Sequence, residues 1–450
     1  MTTAVPPEPL LGGGPGSADA LVARDAAVVW HGFTQMAAFA ANAPIVVERA
    51  EGRELIDVDG RRYLDAISSL WVITLGHRVP ELDAALAEQA GRIAHSTMLG
   101  NANRVVLELA EALAGVVPVD SPHFLFASDG ASAVEQALKI AFQYWQNAGI
   151  VGRDRFLALT DAYHGDTIGA LSLGDGAFGT ARFDPLRFPV LRAPGYAHAG
   201  WSEQALALVA AYRGELAAVV LEPLVQAASG ILTTSPEEVA RFCRGAQEMG
   251  VLVIADEVAT GFGRTGALFA CERAGVRPDL LCLGKGITGG YLPMSATVAS
   301  GEVFTGFLGE DRSERTLLHG HSYGGNALAA AVALAHLPLV CAPALATHVA
   351  GIADLLGRRL AEEVTAHPLV REVRQCGLLI GVELAAGGGD RARRVAAGAV
   401  ERGVLLRSVG EVIPIVPPLT TTAGEVERIV RALRGALDER SAAEATPARR

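Results

Sequence analysis

The chain has 450 residues, of which 50% are hydrophobic and 19% charged, so it can bury a sizeable core and has length for more than one domain. Its formal charge of −11, with no basic stripe interleaved with aromatics, argues against nucleic acid as a partner. An anionic ligand would have to be held by local groups, because the overall field does not attract it.

Residues 1–16 are rich in Pro and Gly and lack the basic start and apolar core of a signal peptide, so residues 1–20 read as a loose tail. Residues 45–67 carry three strand-like runs punctuated by Gly52 and Asp59-Gly60, which predicts a short antiparallel sheet. From about residue 81 to 320, helical patterns alternate with short apolar runs. Strands are predicted at 124–127, 156–159, 218–221 and 251–255, with helices at 80–93, 130–145 and 237–248. Continuous apolar strands alternating with helices predict an α/β domain with a parallel sheet covered on both faces. Residues 327–351 lack Asp, Glu, Lys and Arg, yet Pro338, Pro343, His336 and His348 interrupt them. The expectation there is a buried helix over 327–337 stopped by Pro338, and no membrane span. A strand at 378–383 and a helix at 391–402 follow, and 441–450 read as a polar tail. The expected division is 21–75 and 336–440 forming a smaller α+β domain around a large domain at 76–335. The five cysteines, Cys243, Cys271, Cys282, Cys341 and Cys376, form no CxxC pair, which points to structural thiols in a reducing, cytoplasmic setting and no metal site.

Four segments carry chemistry. An apolar strand runs into Asp256-Glu257, and ligands of open parallel sheets sit beyond the carboxyl ends of strands. Asp256 is therefore a ligand-facing acid or a loop cap. Lys285 lies between Gly284 and Gly286 after the run Leu281-Cys282-Leu283. Desolvation there would lower its pKa and favour an imine-forming amine. A phosphate-binding P-loop would need Ser or Thr after the lysine, and Gly286 stands there. Ser128-Asp129-Gly130-Ala131-Ser132 opens a helix, which suits either a phosphate or an ordinary cap. Tyr163-His164-Gly165 offers an aromatic beside a glycine turn, for ring stacking or for packing. Residues 261–266 fit GxGxxG, but Asp256 to Thr260 separates them from the strand, contrary to a dinucleotide site.

Taken together, these segments resemble the class III (ω-type) aminotransferases, which use pyridoxal 5′-phosphate (PLP) and have PLP fold type I. The stretch Ile254-Ala255-Asp256-Glu257-Val258-Ala259-Thr260-Gly261-Phe262-Gly263-Arg264-Thr265-Gly266 is similar to the family signature, and Lys285 follows at the family's distance. The resemblance covers about residues 30–435. It implies a large domain with a mostly parallel, seven-stranded type of sheet and a smaller domain built from both termini. By that resemblance, Lys285 forms a Schiff base with PLP and moves the proton, and Asp256 keeps the ring nitrogen protonated. Val258 and Tyr163 pack on the ring faces, and Gln226 lies near the ring hydroxyl. His164 and Glu222 belong to the cofactor site, while Ser128, Asp129, Gly130 and Ala131 belong to the phosphate cup. The family's homodimer with shared sites would place Gly320 and Ser322 in the partner's cup.

Within the class, the segments around Trp30-His31-Gly32-Phe33, Ser68-Ser69-Leu70-Trp71 and His319-Gly320-His321-Ser322-Tyr323 resemble the diaminopelargonate aminotransferases of biotin biosynthesis. The implied acceptor is 8-amino-7-oxononanoate, with Trp71 and Tyr163 lining an apolar slot and Arg407 pairing with its carboxylate. The implied donor is S-adenosylmethionine or L-lysine. Phe33, Leu70 and His321-Ser322 replace residues usual in the adenosylmethionine users and resemble the lysine-using branch. Asp129 stands where the family usually has Ser or Thr, so its carboxylate is expected to turn away from the phosphate, with Ser128 substituting. The alternative is another ω-aminotransferase acting on a diamine, ω-amino acid or amine.

Overall fold

The computed structural model describes residues 16–175, 177–387 and 390–445. Its centre is a seven-stranded sheet in the order His123–Ala127, Ser295–Ala299, Leu280–Leu283, Leu252–Asp256, Leu216–Leu221, Arg155–Leu159 and Leu191–Ala193. Only Ser295–Ala299 runs antiparallel to its neighbours. The register pairs Ile254 with Val220 on one side and with Leu280 on the other. All residues of Leu216–Leu221 and Leu252–Asp256 are buried, as an unbroken apolar run covered on both faces requires.

Helix Gly130–Asn147 covers one face of this sheet, burying Ala133, Val134, Ala137, Leu138 and Ala141 at helical spacing. Its buried Gln136 has a partner, because the Thr297 hydroxyl lies 2.8 Å from its side-chain oxygen and 2.7 Å from the Ala133 carbonyl and shares its one proton between them. The parallel strands end on a common edge at Ala127, Leu159, Leu221, Asp256 and Leu283, and there the chain changes direction into the segments that carry Asp129, Tyr163 and Lys285.

A second sheet joins the two ends of the chain. Val47–Glu51, Glu54–Asp57 and Arg62–Asp65 form the expected antiparallel meander, and Val404–Leu405 adds parallel to Arg62–Asp65. A three-stranded sheet of Val370–Cys376, Leu379–Leu384 and Val412–Ile415 lies nearby in sequence, with helices Arg391–Glu401 and Ala423–Ala445.

Three expectations change. Pro338 does not stop its helix, which runs Ala327–Val340 through it. Pro338 sits in the last turn and deprives only the Leu334 carbonyl of its N–H partner, and the Cys341 N–H still closes the turn onto Leu337. The helix meets Pro343–Glu363 at 69°, and no single helix among the described residues is long and apolar enough to cross a membrane. Part of each tail is helical. Ser17 caps Ala18–Val28 through its hydroxyl, and the last helix continues to Ala445. Glu444 holds that end by bonding Arg391 at 2.7 Å and Arg440 at 2.8 Å. Residues 1–15 and 446–450 of the two expected tails lie outside the described residues.

Candidate active site

At the carboxyl edge of the sheet, Asp256 ends its strand with 5% of its surface exposed. His164 Nδ1 lies 2.7 Å from one carboxylate oxygen, and the Val258 N–H donates to the other at 3.0 Å. The far nitrogen of His164, Nε2, is buried without a hydrogen-bond partner. Lys285 begins a short turn after its strand with φ +40°. Burial lowers the pKa of its amine, against the opposing pull of Asp256 and Glu222. Its Nζ is 5.5 Å from the centre of the Trp71 ring.

Two glycines let these pieces converge. A Cβ on Gly130 would stand 2.6 Å from Val258 Cγ1, so the helix N-terminus approaches the signature loop only as glycine. Gly165 has φ +129°, and a Cβ there would meet Ala131 at 2.5 Å. Glu135, on the same helix, receives the Thr167 hydroxyl at 2.6 Å and the Gly169 N–H at 2.7 Å. It thereby ties the Tyr163 loop to the helix that begins at Gly130.

Glu222 lies beneath this loop. Burial pushes its carboxyl up to about 7, although the N–H groups of Tyr163 and Ala227 donate to it at 3.2 and 3.0 Å. The Tyr163 hydroxyl donates to Asp166 at 2.9 Å, and burial raises its pKa too. Asp129 is the N-cap of helix Gly130–Asn147. Its carboxylate receives the Ser132 N–H at 2.8 Å and the Ser132 hydroxyl at 2.9 Å. The acid that seemed out of place beside a phosphate is thus spent on its own helix.

One cavity of about 550 Å³ brings together Trp71, Asp129, Gly130, Ala131, Tyr163, His164, Glu222, Asp256, Val258 and Lys285. It also takes in Asp166, Thr167, Ala228 and Ala259, which sequence reasoning missed. Asp166 and Thr167 lie in the stretch Tyr163–Gly169 that carries the resemblance, but were not expected in the site.

Other expected site residues stand elsewhere. Gln226 is fully buried, with its amide donating to the Thr160 carbonyl at 2.7 Å and accepting the Tyr196 N–H at 3.2 Å, so it is turned away from the cavity. The Ser128 hydroxyl lies 3.5 Å from His321 Nδ1 and is not among the residues that line the cavity. Phe33 and Leu70 are 67% and 47% exposed and do not line the cavity. Arg407 is exposed just beyond the short strand Val404–Leu405 and is not among the residues that line the cavity. Gly320 and Ser322 are exposed and outside this chain's own cavity.

The wall that carries Trp71 has an unusual backbone. Ser68, Ser69, Leu70 and Trp71 have φ of +50°, +46°, +76° and +68°, one left-handed helical turn without a glycine. Each such residue costs roughly 1–2 kcal/mol. Fully buried Arg264 braces the turn's exit, donating to the carbonyls of Ile73 and Pro417 at 2.7 Å each. Burial lowers the Arg264 pKa to about 10, with Asp65 opposing.

Comparison with known proteins agrees with this geometry. The family model described as aminotransferase class-III matches residues 36–437. The adenosylmethionine-8-amino-7-oxononanoate aminotransferase of Nitratidesulfovibrio vulgaris is 42% identical, over 92% of this chain and 80% of its own. The crystal structure of the Methanocaldococcus jannaschii enzyme of the same name superposes with a TM-score of 0.90 at 35% identity, covering 94% of this chain and 99% of that one. A PLP-bound amine transaminase from an uncultivated Pseudomonas species gives a TM-score of 0.84 at 33% identity, covering 92% and 98%. The chain belongs to the class III aminotransferases, and its cofactor is PLP.

The residues present fit that cofactor. A desolvated amine, a carboxylate held by two donors and the first amides of a helix line one cavity of suitable size.

Proposed function

We propose that this enzyme transfers an amino group to 8-amino-7-oxononanoate, giving 7,8-diaminononanoate for biotin synthesis. The observation that carries the reading is the desolvated, half-buried Lys285 amine, which feels Asp256 and lies 5.5 Å from the Trp71 ring at the wall of a cavity that also holds Tyr163. When bound, PLP supplies the electron sink that makes the substrate's C–H proton removable. Lys285 would hold the cofactor covalently, and its desolvated amine, once freed, would move the proton between the substrate carbon and the cofactor carbon. Asp256, its carboxylate fixed by His164 and Val258, would hold the proton of the ring nitrogen. The amides of Gly130 and Ala131 would bind the phosphate, and Val258 and Tyr163 would confine the ring. Trp71 and Tyr163 exclude water and wall the slot for the acceptor's aliphatic chain.

The working unit in this reading is a homodimer. Leu99, Leu318 and Tyr323 are 64%, 83% and 62% exposed around Gly320 and Ser322, an apolar margin that suits a second copy. Sedimentation of the holoenzyme checks this, and a monomer with full activity would remove Gly320 and Ser322 from the site.

The donor is L-lysine or S-adenosylmethionine. Phe33, Leu70 and His321-Ser322 resemble the lysine-using branch, which favours lysine, although Phe33 and Leu70 stand outside this chain's own cavity. Mixing both donors with one acceptor and following the cofactor's absorbance through each half-reaction distinguishes them. No conversion of 8-amino-7-oxononanoate, with fast turnover of another ketone or aldehyde, would overturn the acceptor. The similarity to an amine transaminase favours an ω-amino or amine substrate as the second reading.

A further inference from the structure

The left-handed turn Ser68–Trp71 does not hold itself, because four residues with a Cβ stand where the backbone favours glycine. What holds it lies at the end of the preceding strand. Asp65 is fully buried, and its carboxylate receives the Ser69 N–H at 2.9 Å and the Ser69 hydroxyl at 2.7 Å. His77 Nε2 approaches the same carboxylate at 3.1 Å. Ser68 anchors the start of the turn, donating its hydroxyl to the Val416 carbonyl at 2.6 Å. The turn closes through the Trp71 N–H to Ile67 and the Val72 N–H to Ser68. Its last residue, Trp71, is 6% exposed and stands over Lys285.

We propose that Asp65 is a positioning residue for the acceptor slot. It pins the left-handed turn at Ser69, and the turn places the Trp71 ring against the reacting amine. Asp65 does not line the cavity and acts through the turn, whose Ser69 it bonds at the N–H and the hydroxyl. The inference rests on the reading of Trp71 as a wall of that slot.

The physics gives a rescue test. Removing the Asp65 carboxylate frees the turn to relax towards right-handed backbone, which shifts Trp71. Glycine at position 69 takes φ +46° without a Cβ clash, so it restores the turn's preference without Asp65. In the holoenzyme, Asp65→Ala should raise KM for 8-amino-7-oxononanoate by about tenfold or more while kcat changes less than about threefold. Adding Ser69→Gly should bring KM back to within about threefold of the parent, and Ser69→Gly alone should change little. Should Asp65→Ala fail to fold, Asp65→Asn carries the same test, because it keeps one oxygen for the Ser69 N–H and loses the acceptor for its hydroxyl. An Asp65 variant with the parent KM, or a raised KM that Ser69→Gly leaves in place, overturns the proposal. If the parent enzyme does not take 8-amino-7-oxononanoate, that result counts against the substrate alone. The circular dichroism of the bound cofactor's visible band then decides the turn, since it senses the Trp71 ring beside Lys285. Asp65→Ala should alter that band and Ser69→Gly restore it, and an unaltered band overturns the proposal.

Discussion

Glu222 offers the most quantitative test of how the site is built. Burial pushes its carboxyl from an ordinary 4.5 up to about 7 in the folded protein. The folded state therefore binds this proton more tightly than the unfolded chain. The stability that follows is fully present below about pH 4.5 and is lost as pH rises through about 7. At about 1.36 kcal/mol per pH unit, the rise corresponds to about 3 kcal/mol at most. Glu222→Gln deletes the titration. Its amide oxygen still accepts one of the N–H groups of Tyr163 and Ala227, while its NH2 faces the other, at a cost of about 1–2 kcal/mol. The variant should therefore be less stable than the parent near about pH 5 and should gain on it by up to about 3 kcal/mol towards about pH 8. Urea unfolding of both cofactor-stripped proteins across that window measures the difference. Glu257, also pushed up to about 7 by burial, is present in both proteins and cancels. A difference that stays flat with pH refutes the argument that desolvation dominates at Glu222.

Three further outcomes follow from single contacts. Asp129→Ala removes the N-cap of helix Gly130–Asn147 and should cost about 1 kcal/mol, read as a lower thermal midpoint. Cofactor affinity should hold or improve, and a weaker equilibrium constant by titration would show that Asp129 contacts the phosphate after all. Arg264→Lys cannot span the carbonyls of Ile73 and Pro417 with one ammonium and should destabilise by about 2 kcal/mol in denaturant unfolding. Unchanged stability would show that the fork is dispensable. Lys285→Ala should lose both covalent cofactor attachment, tested by borohydride reduction and mass spectrometry, and about 10³-fold or more of turnover. Retained turnover would remove Lys285 from its role.

The sequence by itself determined the alternation of apolar strands and helices, the placement of Asp256 at a strand end and the desolvated setting of Lys285 after an apolar strand. These properties are local: an unbroken apolar run is buried wherever it folds, and a residue at its carboxyl end meets the sheet's open edge. Tertiary structure alone decided where hydrogen bonds were spent. Gln226 carries the right chemistry for a cofactor site, yet its amide bonds Thr160 and Tyr196, residues distant in the chain. Asp129 looked unfavourable beside a phosphate until its carboxylate was found bonded to Ser132. The left-handed turn at Ser68–Trp71 had no sequence signal, because no glycine marks it. It exists through partners at Asp65, Arg264 and Val416, and only folding brings Val416, 348 residues away from Ser68, to its side.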